Sequence, residues 1–281
     1  MNKASENIKL LAACIFFIVC AGCRLVHSSA PHIVSAKSEY ISGFTPETSF
    51  MNEAEAKRAG CDLVNLKPGT VNAVQKWFSA NTMHLAIYDP KETGQLALAH
   101  TIEIPSWYAG ATIEYISYQY HHDLMAIRFE GNRGTGILQY LYMILMWRNE
   151  SFEIVFLDTV SYTIELSGQD LTTHIDFENL GLGSIELSTH YTLQANTGTF
   201  TGEWDRKTMS LKSQWSDTLH LENSGTFYDP EYETYWLNKP GVPEVRRQLS
   251  RARLHFLKDR PKLDSLTEYL KQHKSIFYGI L

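Results

Sequence analysis

"YTIELSGQDLTTHIDFENLGLGSIELSTHYTLQAN", residues 162–196, alternates apolar and polar side chains and is punctuated by glycines at 168, 181 and 183. A period of two places successive side chains on opposite faces of a strand, so the stretch reads as strands with one apolar and one wet face. In an antiparallel hairpin, facing residues share a constant index sum, and a correct sum keeps apolar partners together. A turn at Gly168-Gln169 pairs Ile164 with Thr173 and Tyr162 with Ile175. A turn at Leu182 pairs Phe177 with Leu187 and Thr173 with Tyr191. Turns at Thr197-Gly198 and Arg206-Lys207 pair Tyr191 with Trp204 and Trp204 with Met209. The reading is a five-strand antiparallel meander over 162–215 with one wet side.

The neighbouring sequence extends this scheme. "HLAIYDPKETGQLALAHTIEIP" (84–105) and "ATIEYISYQYHHDLMAIRFEG" (111–131) each place turn residues between two apolar runs, the signature of a hairpin. "GILQYLYMILMW" (136–147) is apolar on both alternating faces and reads as a strand buried on both sides. After residue 240 the period changes. Val245, Leu249, Ala252 and Phe256 fall on one helical face, and Pro261 opens a second helix carrying Leu263, Leu266 and Leu270. The fold class expected is mainly β, an antiparallel meander (sandwich, barrel or propeller-like) with two C-terminal amphipathic helices.

Composition agrees with a folded domain. The 281 residues are 44% apolar and 20% charged, within the range of globular chains, and the formal net charge of −6 argues against a nucleic-acid partner. Three of the four cysteines, Cys14, Cys20 and Cys23, lie in the first 23 residues, so the remaining chain has only Cys61 and no disulfide framework. A buried, inert thiol is the expected state of Cys61.

At the N-terminus, Lys3 and Lys9 precede an uncharged run from Leu10 to Ala21, followed by Arg24. A run of about 12 residues suits the apolar core of a signal peptide, whereas a bilayer span needs roughly 20. Cys20-Ala21-Gly22-Cys23 at its end resembles the lipobox of bacterial lipoproteins, with Ala21 and Gly22 at the small-residue positions and Cys20 where the family usually has Leu. The resemblance implies cleavage before Cys23, lipidation of Cys23, and a membrane partner through that lipid. It also implies a cell-membrane or outer-membrane location with the domain facing the periplasm or exterior, and Arg24, in place of the Asp that retains lipoproteins on the inner membrane, leans toward the outer membrane or surface. The expected organisation is a signal peptide (1–22), a lipidated N-terminus and tether (23–48), and a single β-rich domain (49–281) with its helical cap at 242–274. Ordinary secretory cleavage after Ala21, or an uncleaved anchor, are the alternatives.

Several residue groups are candidates for chemistry. By the register above, His174 faces His190 and His190 faces Asp205, a set of donors suited to Zn²⁺ or a similar ion, against the plain alternative of a solvated sheet face. His121-His122-Asp123 reads as a turn, because neighbouring strand residues point to opposite faces. "FYDPEYETYW" (227–236) reads as a loop interleaving Tyr228, Tyr232, Tyr235 and Trp236 with carboxylates, a chemistry suited to sugars. The arginines at 246, 247, 251 and 253 read as a solvated helix face or one that meets anionic lipid. No G-x-S-x-G, H-E-x-x-H, P-loop or Rossmann fingerprint occurs, and no cofactor is expected. The function expected is a non-catalytic binding or structural module of the envelope, recognising a glycan or protein. The alternative is an envelope hydrolase acting on carbohydrate, with or without a metal.

Overall fold

The computed structural model describes residues 32–34, 44–79, 81–106, 110–119, 122–134, 136–164, 168–181, 184–197, 209–221 and 225–274. All of these belong to one compact unit, Pro31–Leu281. Cys23 and the expected signal peptide lie outside the described residues.

The unit is mainly β, with two open antiparallel sheets. Strands β1 (His32–Val34), β2 (Ser49–Phe50), β3 (Asp62–Lys67), β4 (Thr70–Ser79), β5 (Thr82–Pro90) and β6 (Leu96–Pro105) begin the order. Strands β7 (Thr112–Gln119), β8 (His122–Gly134), β9 (Ile137–Arg148) and β10 (Ser151–Ile164) follow. Strands β11 (Gln169–Gly181), β12 (Ser184–Asn196) and β13 (Met209–Leu221) complete it. The smaller sheet runs β2-β6-β5-β4-β3 and the larger β1-β7-β8-β9-β10-β11-β12-β13. Both are meanders, each with one early strand added at an edge.

The two hairpins expected at 84–105 and 111–131 are β5–β6 and β7–β8. The doubly apolar stretch is β9, seated between β8 and β10, with residues 141–146 all buried. Both faces of β9 are covered, which is why the alternation vanishes there. Tyr142 shares a face with Phe156 and Asp158, where Phe227, Tyr228 and Arg253 pack. Leu145 shares the other face with Met125 and Tyr115, whose hydroxyl donates to Asp62 of β3 at 3.1 Å. The smaller sheet is likewise covered twice. Val74, Leu85, Ile87 and Ile104 face the main core, while Ala73, Trp77, Ala86 and Tyr88 form a second cluster with Ala56 of α1 (Glu53–Arg58) and the buried Cys61. Burial, then the neighbouring Asp62, pushes the Cys61 thiol up to about 11.

The meander register is partly the expected one. Strands β11 and β12 pair Phe177 with Leu187, Thr173 with Tyr191 and His174 with His190. Strands β10 and β11 pair Tyr162 with Leu171 rather than Ile175, a shift that keeps each side chain on its face. In place of the third expected hairpin, β12 pairs directly with β13, and the turns expected at Thr197-Gly198 and Arg206-Lys207 fall largely outside the described residues. Tyr191 pairs with Trp215 in β13, not with Trp204, and His190 pairs with Ser216, not with Asp205. Trp204 and Asp205 themselves lie outside the described residues. A regular alternation scores well at more than one index sum, and either sum sets an aromatic against Tyr191.

Three α-helices follow the sheets: α2 (Pro230–Asn238), then the two expected C-terminal helices, α3 (Glu244–Asp259) and α4 (Leu266–Gln272), the last preceded by a 3₁₀ turn at Leu263–Ser265. Helix α2 stands where the aromatic loop was expected. Asp229 caps it, accepting from Glu231 N at 2.8 Å, and Pro230 occupies the first turn, where its missing N–H is no loss. Helix α3 buries Val245, Leu249, Ala252 and Phe256, as its periodicity requires.

The same face of α3 also buries Arg246 and Arg253 completely, overturning their reading as a solvated or lipid-facing surface. Arg253 donates through Nε to Asp158 of β10 (2.7 Å) and through Nη1 to Asp217 of β13 (2.9 Å) and Glu233 of α2 (3.1 Å). Arg246 donates to the other oxygens of Asp217 (3.0 Å) and Glu233 (3.2 Å). Three carboxylates thus meet two guanidiniums with no access to water. Burial pushes Asp158 up to about 6, against the pull of Arg253, and the charge of Glu233 adds to the rise. The folded chain therefore holds a proton on Asp158 more tightly than the unfolded chain, whose carboxyl sits near 3.8. The resulting stability is full below that value and is lost as pH rises through about 6. Asp158→Asn is expected to remove this loss, so that, relative to wild type, the variant gains on the order of 3 kcal/mol between pH 4 and pH 7.5. Urea unfolding at several pH values in that window checks it.

Candidate functional site

Of the residues singled out in the sequence, His174 and His190 come together on the wet face of β11 and β12, with ring centroids 6.4 Å apart. Asp176, two residues along β11, lies 3.0 Å from His174 Nε2 and 3.8 Å from His190 Nε2. His190 Nδ1 is 2.7 Å from Ser216 Oγ. The His174, His190 and Asp176 side chains are all more than half exposed, a polar ladder on a solvated face. Burial lowers the pKa of His122, which packs edge-on to Tyr118. Asp123, pointing the other way, accepts from Asn65 N at 3.1 Å and ties β8 to β3.

Three of the four aromatics at 228–236, Tyr228, Tyr232 and Trp236, pack against the buried ion cluster. Tyr228 is buried and its hydroxyl donates to the Leu157 carbonyl at 2.8 Å. Tyr232 donates to Asp217 at 3.1 Å. Arg246 lies over the Trp236 ring at 5.0 Å. Tyr235 alone of the four is exposed. Aromatic faces beside carboxylates, read from the sequence as a sugar platform, here surround two guanidiniums, for which the same electron-rich faces are equally suited.

A groove of about 1080 Å³ between the sheets is lined by residues 100–103 of β6, Glu150 and residues 151–154 at the start of β10, and 260–264 with Thr267 before and within α4. Glu103, Glu150, Glu153 and Asp264 face it alongside Arg260, Lys262 and His100. His100 is held from behind. Its Nε2 is 3.0 Å from Lys67 Nζ, and its ring meets Trp147 and Phe152 edge-on at 5.2 and 5.5 Å. Lys67 in turn pairs with Asp89 and sits over Trp147, 3.9 Å from the ring centroid. Burial, then the Lys67 charge, lowers the His100 pKa, so the neutral ring accepts at Nε2 from the ammonium and keeps its proton on Nδ1.

The rim of this groove carries strained backbone. The described non-glycine residues with positive φ are Asn149 (50°), Glu150 (62°) and Arg260 (45°). Asn149 and Glu150 form the two-residue turn between β9 and β10, where both central residues need φ > 0 and the second is usually Gly. Arg260 ends α3 in the left-handed conformation that also favours Gly. Long charged side chains thus occupy glycine-favouring positions at two points on one groove. No signal in the sequence joins these three segments, because they are brought together only by the packing of the sheets and the helical cap.

No family model, no curated protein and no solved structure matches the chain. Among the described residues, no helix is long and apolar enough to cross a membrane.

Relief of the turn strain is measurable. Glu150→Gly is expected to raise stability by about 1 kcal/mol, because glycine adopts φ near 60° without steric cost. Urea or thermal unfolding checks it.

Proposed function

We propose that the protein is a lipid-anchored lipoprotein of a bacterial envelope whose β-rich domain binds an envelope glycan in the groove between its sheets. The observation that supports the binding role is the strained, doubly charged rim of that groove. Carboxylates at 103, 153 and 264 offer acceptors to sugar hydroxyls, Arg260 and Lys262 offer donors, and the Phe152 ring offers an apolar face. The anchor rests on the sequence alone, on the apolar run and Ala21-Gly22-Cys23, and tethers the domain within reach of such a polymer.

Growth with a radiolabelled fatty acid is expected to label the wild-type chain and not Cys23→Ala; an unlabelled wild type removes the anchor. Titration calorimetry of the purified full-length protein with solubilised envelope polysaccharide is expected to give binding that weakens at least about tenfold in Glu103→Gln and Phe152→Ala. Unchanged affinity in both variants removes the groove as the site.

A further inference from the structure

We propose that His255, Asp259 and His273 form a site for a divalent first-row cation, with Zn²⁺ the ion that best matches the donors. His255 and Asp259 are one turn apart on the last turns of α3, and His273 caps α4. Asp259 Oδ2 lies 3.0 Å from His255 Nδ1 and 3.4 Å from His273 Nε2, and all three donor atoms lie within 4.8 Å of one another. A tetrahedral zinc with bonds near 2.0–2.1 Å needs donor atoms about 3.3 Å apart, which the two distances to the carboxylate bracket. Two imidazoles and one carboxylate are a donor set for zinc rather than for magnesium or calcium, which prefer oxygen alone.

The proton inventory supports the assignment independently. His273 Nδ1 is 2.9 Å from the Tyr269 carbonyl oxygen, which can only accept, so the ring's proton belongs on Nδ1. In the neutral ring, Nε2 then directs a lone pair at a carboxylate oxygen, an arrangement that needs a cation between them or a second proton on the ring. A carbonyl that fixes the tautomer and turns the free nitrogen toward the metal is the usual support of a metal-bound histidine. The His255 and His273 rings are 4.7 Å apart, and the three side chains are between 21% and 34% exposed, which leaves a solvent-facing fourth position. The ion would clamp the end of α3 to the end of α4. The proposal does not depend on the glycan reading.

The test is ZnCl₂ titration of chelator-treated full-length protein, by calorimetry and thermal unfolding. One ion per chain is expected, with a rise in melting temperature. His255→Ala, Asp259→Asn and His273→Ala should each weaken uptake at least about tenfold, and His174→Ala should not. Absence of saturable uptake, uptake unchanged in the first three variants, or uptake lost in His174→Ala overturns the proposal. A readout on the wild type guards against unstable variants. Bound Zn²⁺ should shield His255 and His273, but not the exposed His220, from diethylpyrocarbonate, as mapped by mass spectrometry; equal modification of all three with and without the ion also overturns it.

Discussion

Arg253 reaches from α3 into the face of the large sheet and touches Asp158, Asp217 and Glu233 at once, with Arg246 one face-repeat earlier completing the set. These groups come from β10, β13, α2 and α3, so the cluster is the point at which sheet and helices are keyed together. Removing two guanidiniums and three carboxylates from water is expensive, and such clusters add little net stability over a well-packed apolar core. Their leverage lies in what happens when they are misaligned. A bare buried charge costs several kcal/mol, so any arrangement of the helices that leaves one carboxylate without its partner is heavily disfavoured. Apolar contacts at Leu249 and Phe256 tolerate sliding; the fork of Arg253, with Nε and Nη1 committed to three different acceptors, does not.

Fixing α3 in this way determines what lies beyond its end. Arg260, the left-handed cap, follows directly, and the chain then passes through Pro261 to α4 along the open side of β6 and the start of β10. The groove is therefore a by-product of the ion cluster's geometry: its third wall exists because α3 stops where it does. The opposite wall is set by the tight Asn149-Glu150 turn, which allows β10 to begin beside β6. Two independently positioned segments each place a charged side chain in a strained conformation on the same cleft. Simple loop closure does not account for that, since glycine would serve both turns with less strain.

How much of this was legible in the sequence depends on the range of the interaction. Short-range features were readable: the β5–β6 and β7–β8 hairpins, the double burial of β9, and the apolar face of α3 all follow from local periodicity and turn residues. Helix α2 is also legible in principle, since Asp229-Pro230-Glu231 is a helix start, but the density of aromatics around it suits a binding loop equally well. The buried arginines were not. Arg246 and Arg253 sit seven residues apart on the same face as Leu249 and Phe256, a spacing that places them inside the apolar stripe; only the expectation that arginine seeks water kept them on the surface. Their partners are up to 95 residues away in sequence, beyond any local pattern. The groove shares that origin.

The register of β13 shows why the cluster and the failed part of the meander reading are one problem. Strands β12 and β13 are each 13 residues long, and alternation alone is satisfied equally well by any slip of two residues. Within β13, Asp217 breaks this degeneracy, being a carboxylate on the otherwise dry face, flanked there by Trp215 and Leu219. Opposite Thr189 it meets both guanidiniums. A slip of two residues either way would set Trp215 or Leu219 against them and leave two buried cations short of a carboxylate. An end strand also needs a reason not to slide or recruit a second chain, and an inward-pointing charge supplies one, because it is tolerable in one position only. The arginines of α3 therefore select the register of a strand in a part of the sheet where the periodic pattern by itself cannot.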